Sequence, residues 1–168
     1  MVSLAVVVKA TLDNVTDLEP TDTEVEPFEY RFEIECTSCR ERHDKPVSVN
    51  RFETYEIPGS RGNASFVYKC RSCGSSHSAT ITKPKHGGIY DLEDSGKEKT
   101  ILLIDSRGLD FVKFIPLGNF QAKGTGSSNK KAKIFKEIDL SENEWYDYDD
   151  DANQEVSIVD VEWDIIKA

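Results

Sequence analysis

The sequence predicts a strand-rich protein, and two observations support this fold class. Hydrophobic residues recur with a period of two in several segments, whereas no window sustains the period of an amphipathic helix. Clusters of glycine, proline and asparagine, which favour turns, separate these segments. Alternation of this kind is typical of strands with one buried and one solvated face. We therefore expect a β protein with at most one or two short helical turns.

The longest strands are predicted where the alternation is cleanest. It runs through residues 4–12, 28–36 and 159–165, with Phe28, Tyr30, Phe32, Ile34 and Cys36 as the apolar side of the second. Shorter β-like runs are expected at 65–69, 79–82, 100–104, 111–115 and 132–135. The best helix signal is Ser141-Glu142-Asn143-Glu144, a capping-box pattern that can begin one short turn.

Two segments are predicted to be loops. Residues 83–99 carry adjacent glycines and many charges, and residues 124–131 are rich in Gly, Ser and Lys.

Two other segments share a weak similarity. Val6–Pro20 and Leu102–Pro116 both show a strand, a polar break, and then Leu-x-x-Val-x-x-Leu/Ile near a proline. This similarity could mark two related β-halves, but its alignment needs a one-residue shift, which favours chance.

Length and composition exclude several classes of protein. A chain of 168 residues fits one domain, expected over residues 1–168, and it can build a hydrophobic core without disulfides. Its net charge of −10 does not suit a general nucleic-acid binder, which needs clustered Lys and Arg. The apolar start of the chain lacks the basic region and cleavage site of a signal peptide, and no stretch reaches about 20 apolar residues. We therefore expect an intracellular protein that is not embedded in a membrane.

The acidic charge is concentrated at the C-terminus. Residues 137–168 hold 12 acidic and one basic side chain, whereas residues 1–136 hold 20 basic and 19 acidic ones. The run Asp147-Tyr148-Asp149-Asp150-Asp151 fails as a calcium loop, because Ala152 replaces the turn glycine and Ile158 the bidentate glutamate. Residues 137–168 therefore form either a solvated acidic face or a docking site for a basic partner.

Two C-x-x-C pairs form the strongest motif in the sequence. Cys36 and Cys39 are followed, after 30 intervening residues, by Cys70 and Cys73. Two residues between cysteines allow a tight turn to direct both sulfurs at one ion, and two such turns supply a tetrahedron of thiolates. Each pair follows a predicted strand, so we expect a zinc-ribbon-like module at about residues 33–82.

Zinc is preferred for this site over four alternatives. Four soft thiolates suit Zn²⁺ or an iron–sulfur cluster, but cluster signatures usually have closer cysteines. Neither pair opens a helix, as a thioredoxin-like dithiol requires. Four unligated cysteines are disfavoured by the repeated spacing. Among His43, His77 and His86, only His77 is placed for a Cys₃His site, and an ordinary surface position is favoured for it.

A search for catalytic motifs finds none that is complete. The sequence lacks a G-x-S-x-G elbow, an H-E-x-x-H pair and a P-loop. Four thiolates also fill the coordination shell of zinc and leave no position open for substrate. We therefore expect one structural Zn²⁺ per chain, with no catalytic and no other cofactor-binding residues, in a protein that is not an enzyme.

Further short segments accompany the cysteine pairs over about residues 4–160. They are Lys9-Ala10-Thr11-Leu12, Asn14, Leu18, Pro20, Gly62, Ala64-Ser65, Lys69, Arg107-Gly108-Leu109, Phe114, Pro116, Gly118, Phe120, Gly124, Trp145, Asp147-Tyr148-Asp149 and Val156. With these segments the sequence resembles the eukaryotic CXXC-motif-containing zinc-binding proteins, a family catalogued as uncharacterised. The resemblance implies an all-β fold of twisted, partly split antiparallel sheets. It also implies one zinc ion held by Cys36, Cys39, Cys70 and Cys73, and a cytoplasmic or nuclear location.

Three functional hypotheses remain open at this point. The leading one is a zinc-stabilised, non-enzymatic module that binds a protein partner through residues 137–168. The second is metal handling, in which the site receives or passes on zinc or copper. The third is an unrecognised enzyme or a carrier of a small ligand. Nucleic-acid binding is weaker still, because residues 36–73 carry only seven basic against four acidic side chains.

Overall fold

The computed structural model describes residues 2–85, 88–126 and 132–168. Within these residues it contains fourteen strands and one 3₁₀ turn. In chain order the strands are β1 (Val2–Asp13), β2 (Val15–Pro20), β3 (Tyr30–Cys36), β4 (Val47–Val49), β5 (Tyr55–Glu56), β6 (Asn63–Ala64), β7 (Phe66–Lys69), β8 (Ser76–Thr82), β9 (Glu98–Arg107), β10 (Leu109–Ile115), β11 (Phe120–Gly124), β12 (Ile134–Ile138), β13 (Trp145–Asp149) and β14 (Gln154–Lys167). The predicted all-β fold is confirmed.

The largest sheet has six antiparallel strands in the order β13-β14-β1-β9-β8-β7. The strand predicted at residues 4–12 is present as β1. Its side chains do not alternate in burial throughout, because Ala5 and Val7 are buried as well as Leu4, Val6 and Val8. A strand in the middle of a sheet can be covered on both faces, and its alternation is then lost. β1 is therefore central both in the sheet and in the hydrophobic core.

A bulge shifts the alternation within β14. Asp160 has φ 54°, and the register between β1 and β14 shifts between Lys9 and Thr11. Ile158 is buried before this point and Val161 after it, whereas Val159 is half-exposed. The regular alternation predicted for residues 159–165 would turn Val159 inward together with Val161, and this was wrong because an extra residue in one strand reverses which side chains face the core.

Two three-stranded sheets, β10-β3-β4 and β12-β11-β2, and the short pair β5-β6 complete the fold. The predicted inward side of β3 is confirmed, since Tyr30, Phe32, Ile34 and Cys36 are all buried. Aromatic rings fill the space between the sheets: the Trp163 centroid lies 5.1 Å from that of Phe114 and 5.6 Å from that of Phe120. These contacts join β14 of the large sheet to both small ones.

The chain leaves the large sheet for a small one at two corners, each marked by a positive φ. Asn14 (φ 60°) lies between β1 and β2, and Gly108 (φ 81°) lies between β9 and β10. The two halves of the large sheet correspond to each other, with β1, β14 and β13 matching β9, β8 and β7. The two small sheets correspond in the same way, with β2, β11 and β12 matching β10, β3 and β4. The backbone N–H of Thr37 donates to Gly108 O at 3.0 Å, and that of Thr125 donates to Asn14 O at 3.1 Å. The two similar segments noted in the sequence thus occupy equivalent positions of a pseudo-twofold architecture.

Two local predictions need correction. Residues 141–144 form a turn without a helix, and the one helical element in the described ranges is the 3₁₀ turn Leu92–Asp94. That turn and the start of β9 lie within residues 83–99, where a loop was expected. Tyr90 is fully buried there, and its hydroxyl accepts a hydrogen bond from Ala10 N–H at 3.1 Å. A single buried aromatic residue among charges gives no periodic signal, so the sequence could not indicate this contact.

Within the described ranges, no helix has the length and apolar character needed to cross a membrane.

Candidate metal centre

The four cysteines come from two turns that meet at one point. Cys36 ends β3 and Cys39 lies in the turn after it, whereas Cys70 and Cys73 lie in the turn between β7 and β8. All four sulfur atoms lie within 4.8 Å of one another. The structure therefore brings together the complete residue set that the sequence suggested.

A shared corner explains why two distant turns meet. Arg107, at the end of β9, pairs with Ser78 of β8, whose hairpin carries Cys70 and Cys73. Leu109, at the start of β10, pairs with Cys36 itself. Only Gly108 separates these two pairings, so one bend in the chain positions both cysteine turns.

The two cysteine turns have the same backbone hydrogen bonds. Cys36 N–H donates to Glu41 O at 3.0 Å and Arg40 N–H to Cys36 O at 2.8 Å. In the second turn Cys70 N–H donates to Ser75 O and Gly74 N–H to Cys70 O, both at 2.9 Å. The residue after each pair is left-handed, with φ 62° at Arg40 and 75° at Gly74. This shape directs both sulfurs of a turn to the same side.

Arg40 has a backbone conformation that glycine adopts more easily. A left-handed conformation costs an L-residue about 1–2 kcal/mol, and glycine avoids this cost. We expect Arg40→Gly to raise the free energy of unfolding by roughly 0.5–1 kcal/mol, after the added entropy of the unfolded chain is subtracted. Urea denaturation of the zinc-loaded protein measures this change, with Arg40→Ala as the variant that retains the strain. An Arg40→Gly protein no more stable than Arg40→Ala would contradict the expectation.

Two distances between sulfurs match the spacing of a tetrahedral ion site. Cys36 Sγ lies 3.7 Å from Cys73 Sγ, and Cys39 Sγ lies 3.6 Å from Cys70 Sγ. Sulfurs about 2.3 Å from a central zinc ion would be about 3.8 Å apart at the corners of a regular tetrahedron. A disulfide would bring two sulfurs to about 2.0 Å, and all four cysteines are free. The donor set therefore fits a four-coordinate soft metal such as zinc.

The site is half-exposed, and its thiols differ in acidity. Cys36 and Cys70 are buried, whereas Cys39 and Cys73 are exposed. The pKa of Cys73 is lowered to about 6, because the hydroxyl and the backbone N–H of Ser75 stabilise its thiolate. A backbone hydrogen bond near Glu41 lowers the pKa of Cys39, but desolvation and the neighbouring thiols outweigh it and raise that pKa to about 12. Of the two exposed thiols, Cys73 therefore forms a thiolate more readily than Cys39.

His77 contacts the site directly, and the expectation of a surface position was wrong. Its side chain is buried, and Nε2 lies 3.0 Å from Cys36 Sγ. Burial lowers the pKa of His77, which favours the neutral ring. When Cys36 is a thiolate it can only accept, so Nε2–H is the donor and His77 supports a ligand rather than acting as one. The signal was present in the sequence, because period two places His77 on the same face as Ala79 and Ile81.

The other histidines lie outside the cysteine cluster. The His43 ring is 5.2 Å from that of Tyr68, whose hydroxyl lies 3.4 Å from His43 Nδ1. His86 is outside the described residues. In the ranges that the structure describes, the four cysteines form the one cluster able to hold a metal.

Gly108 fits closely against His77. A Cβ atom at this position would lie 2.0 Å from His77 Nδ1, and the φ of 81° also favours glycine. The Gly108 carbonyl accepts hydrogen bonds from Thr37 N–H and from the Thr37 hydroxyl, both at 3.0 Å. Arg107-Gly108-Leu109, one of the segments that carry the family resemblance, thus supports the first cysteine turn.

The acidic C-terminal segment is part of the fold at the far edge of the large sheet. It contains β13, β14 and the buried side chains of Leu140 and Ile158. Asp149, expected on a solvated face, is 1% exposed, and its Oδ1 accepts from the N–H groups of Asp151 and Ala152. Asp149, the buried residue of the aspartate run, therefore caps a turn, while the other aspartates of the run face solvent.

Comparison with known proteins relates the whole chain to one family. The sequence model of the family described as CXXC motif containing zinc binding protein, eukaryotic, matches residues 5–166. A UPF0587 protein of Schizosaccharomyces pombe is 39% identical and covers 100% of both chains. A mouse protein named CXXC motif containing zinc binding protein is 35% identical over 99% of both chains.

Solved structures share the fold over nearly all of the chain. The crystal structure of C1orf123 has a TM-score of 0.87 and 34% identity, and it covers 99% of each chain. The structure of a hypothetical protein from Plasmodium falciparum has a TM-score of 0.85 and 25% identity, with 98% of this chain and 99% of that chain covered.

Proposed function

We propose, because this chain belongs to the eukaryotic family of CXXC-motif-containing zinc-binding proteins, that it is a zinc-stabilised module that binds another protein. In this proposal Cys36, Cys39, Cys70 and Cys73 hold one Zn²⁺ per chain. The observation that carries it is the cluster of four sulfurs within 4.8 Å of one another, of which two pairs lie at the spacing of a tetrahedron.

The chemistry of the donor set supports a structural role for the metal. Four thiolates complete the shell of Zn²⁺, so neither water nor substrate has a coordination position. The ion would join the β3 turn to the β7–β8 turn, and a structural zinc contributes on the order of 10–16 kcal/mol to folding. With no position for catalysis at the metal, we propose a non-enzymatic function in the cytoplasm or nucleus, where thiols remain reduced.

The acidic segment supports a basic protein as the partner. Residues 137–168 carry 12 acidic side chains and one basic one, and they form an edge of the largest sheet. The negative electrostatic potential of such a surface attracts basic partners and raises their association rates at low salt. The metal then holds one end of the molecule together, while the opposite edge of the sheet is available for binding.

Metal analysis and partner capture together test this proposal. We expect one zinc per chain in the purified wild type and loss of zinc in each single Cys→Ser variant. Capture from lysate should recover a partner with wild type and lose it when Asp147, Glu155, Asp160, Glu162 and Asp164 are changed to amides. Zinc content unaffected by the cysteine changes, or a partner retained by the amide variant, would contradict the corresponding half of the proposal.

Metal handling is the second candidate, and the exposure of two ligands favours it. Cys39 and Cys73 are exposed, so an incoming thiol could reach the ion from solvent. Stopped-flow transfer of zinc to a chromophoric chelator separates the two functions. Exchange within seconds would support metal handling, whereas retention for hours would support a structural site.

A further inference from the structure

We propose that a groove on the outer face of the large sheet binds an arginine-bearing segment of a partner protein. The groove is lined by Asp13, Tyr146, Tyr148, Glu155 and Ser157 and has a volume of about 490 Å³. This inference rests on the proposed function and deepens it, because it assigns the acidic surface a defined site and a chemical class of ligand.

The groove lies across three strands at the open edge of the sheet. Asp13 of β1 pairs with Ser157 of β14, which pairs with Tyr146 of β13. Tyr148 pairs with Glu155 in the adjacent row. Because alternate residues of a strand face the same side, the two tyrosines and the carboxylates of Asp13 and Glu155 share one face.

Both tyrosines are exposed to an unusual degree for large aromatic side chains. Tyr146 is 65% exposed and Tyr148 is 44% exposed. Aromatic rings are enriched where proteins bind one another, since they provide a large rigid contact area. The tyrosine faces can also receive a guanidinium group by stacking.

The carboxylates of the groove have no basic partner within the chain. Asp13 and Glu155 are exposed, and neither forms a salt bridge to a described Lys or Arg. A cation is therefore the complementary ligand. Arginine fits best among basic residues, since it can pair with a carboxylate and stack on an aromatic face at the same time.

The pseudo-twofold counterpart of the groove has other side chains at the same positions. At the other end of the sheet the equivalent row is Arg107, Ser78 and Val67. Arginine thus replaces Asp13 and valine replaces Tyr146 at matching positions of the same architecture. The acidic and aromatic character of the groove is not needed for packing, which supports a role in binding.

The mode of binding is through side chains rather than by addition of a strand. β13 is an edge strand, and such edges can accept another strand. The carboxylate of Asp147, however, already accepts the backbone N–H of Tyr148 at 2.7 Å. This occupied donor weakens the edge for strand addition, and in this proposal arginine side chains entering the groove provide the contacts.

Fluorescence anisotropy with a labelled peptide of alternating arginine and threonine tests the inference. We expect saturable binding to the zinc-loaded protein and about a twofold to fivefold weakening for each of Tyr146→Ala and Tyr148→Ala. Tyr→Phe changes should retain binding, because the aromatic face remains. The groove variant Asp13→Asn/Glu155→Gln should weaken binding roughly tenfold.

A matched variant separates the groove from the general negative charge. Glu162→Gln/Asp164→Asn removes the same number of exposed charges from β14 outside the groove. Equal weakening by both double variants would overturn the groove and leave the acidic surface as a whole in place. Unchanged binding in the groove variant, or no binding of the peptide to wild type, would also overturn the groove, whereas the lysate capture tests the proposed function separately.

Discussion

Cys36→Ser is expected to destabilise the zinc-loaded protein so strongly that at least residues 33–82 unfold at room temperature. The change removes one of four proposed zinc ligands and leaves the buried ring of His77 without its sulfur partner at 3.0 Å. A structural zinc contributes on the order of 10–16 kcal/mol, which equals or exceeds the about 5–15 kcal/mol stability of an ordinary domain. Circular dichroism during heating, together with zinc analysis of the same sample, measures the effect.

Ser38→Ala provides the control for this experiment. Ser38 is exposed and lies between the two cysteines of the same turn, so its change leaves all four sulfurs in place. We expect its melting temperature to stay within a few degrees of wild type. If Cys36→Ser melts like Ser38→Ala while the parent is loaded with zinc, the ion is not what holds this region together.

Gly108→Ala is expected to have the second largest effect, although it changes no ligand. The new methyl group would lie 2.0 Å from His77 Nδ1, and the backbone must keep a φ of 81°. The left-handed conformation costs about 1–2 kcal/mol, and forcing a group into a packed site costs about 1–3 kcal/mol more. We expect a loss of roughly 3 kcal/mol in the free energy of unfolding and faster zinc release, because the displaced ring holds Cys36. Urea denaturation and chelator kinetics measure the two effects.

Gly74→Ala separates backbone strain from steric conflict. Gly74 has φ 75°, and nothing lies within 4 Å of the position where its Cβ would be. This variant should lose only about 1 kcal/mol. Equal losses in the two variants would show that contact with His77 is unimportant at Gly108. Partial recovery in Gly108→Ala/His77→Ala would identify the ring as the source of the conflict.

Local sequence predicts strands well where one face is buried and the strand is regular. β3 is such a case: its four inward residues were identified because each contacts the core directly. β14 was less predictable, because the bulge at Asp160 depends on its pairing with β1. The strands β5 and β6 have two residues each, too few for any period to be recognised.

The cluster of four cysteines was predictable from the sequence, and its surroundings were less so. The spacing of the cysteines reflects a local requirement, the tight turn that aims two sulfurs at one point, so sequence alone indicates it. The contacts of Cys36 with His77 and Leu109 depend on which strands become neighbours. Strand pairing over such sequence distances is decided by the whole core and leaves no short motif.

The pseudo-twofold arrangement determines the order in which a growing chain can assemble. All four cysteines precede residue 74, but the strand that pairs with Cys36 and the bend beside His77 are contributed by residues 107–115. β2 likewise has no β11 to pair with until residues 120–124 have been made. During translation the cysteines therefore leave the ribosome well before the element that aligns them, and the nascent chain must keep reduced thiols until more than half of its length has been made.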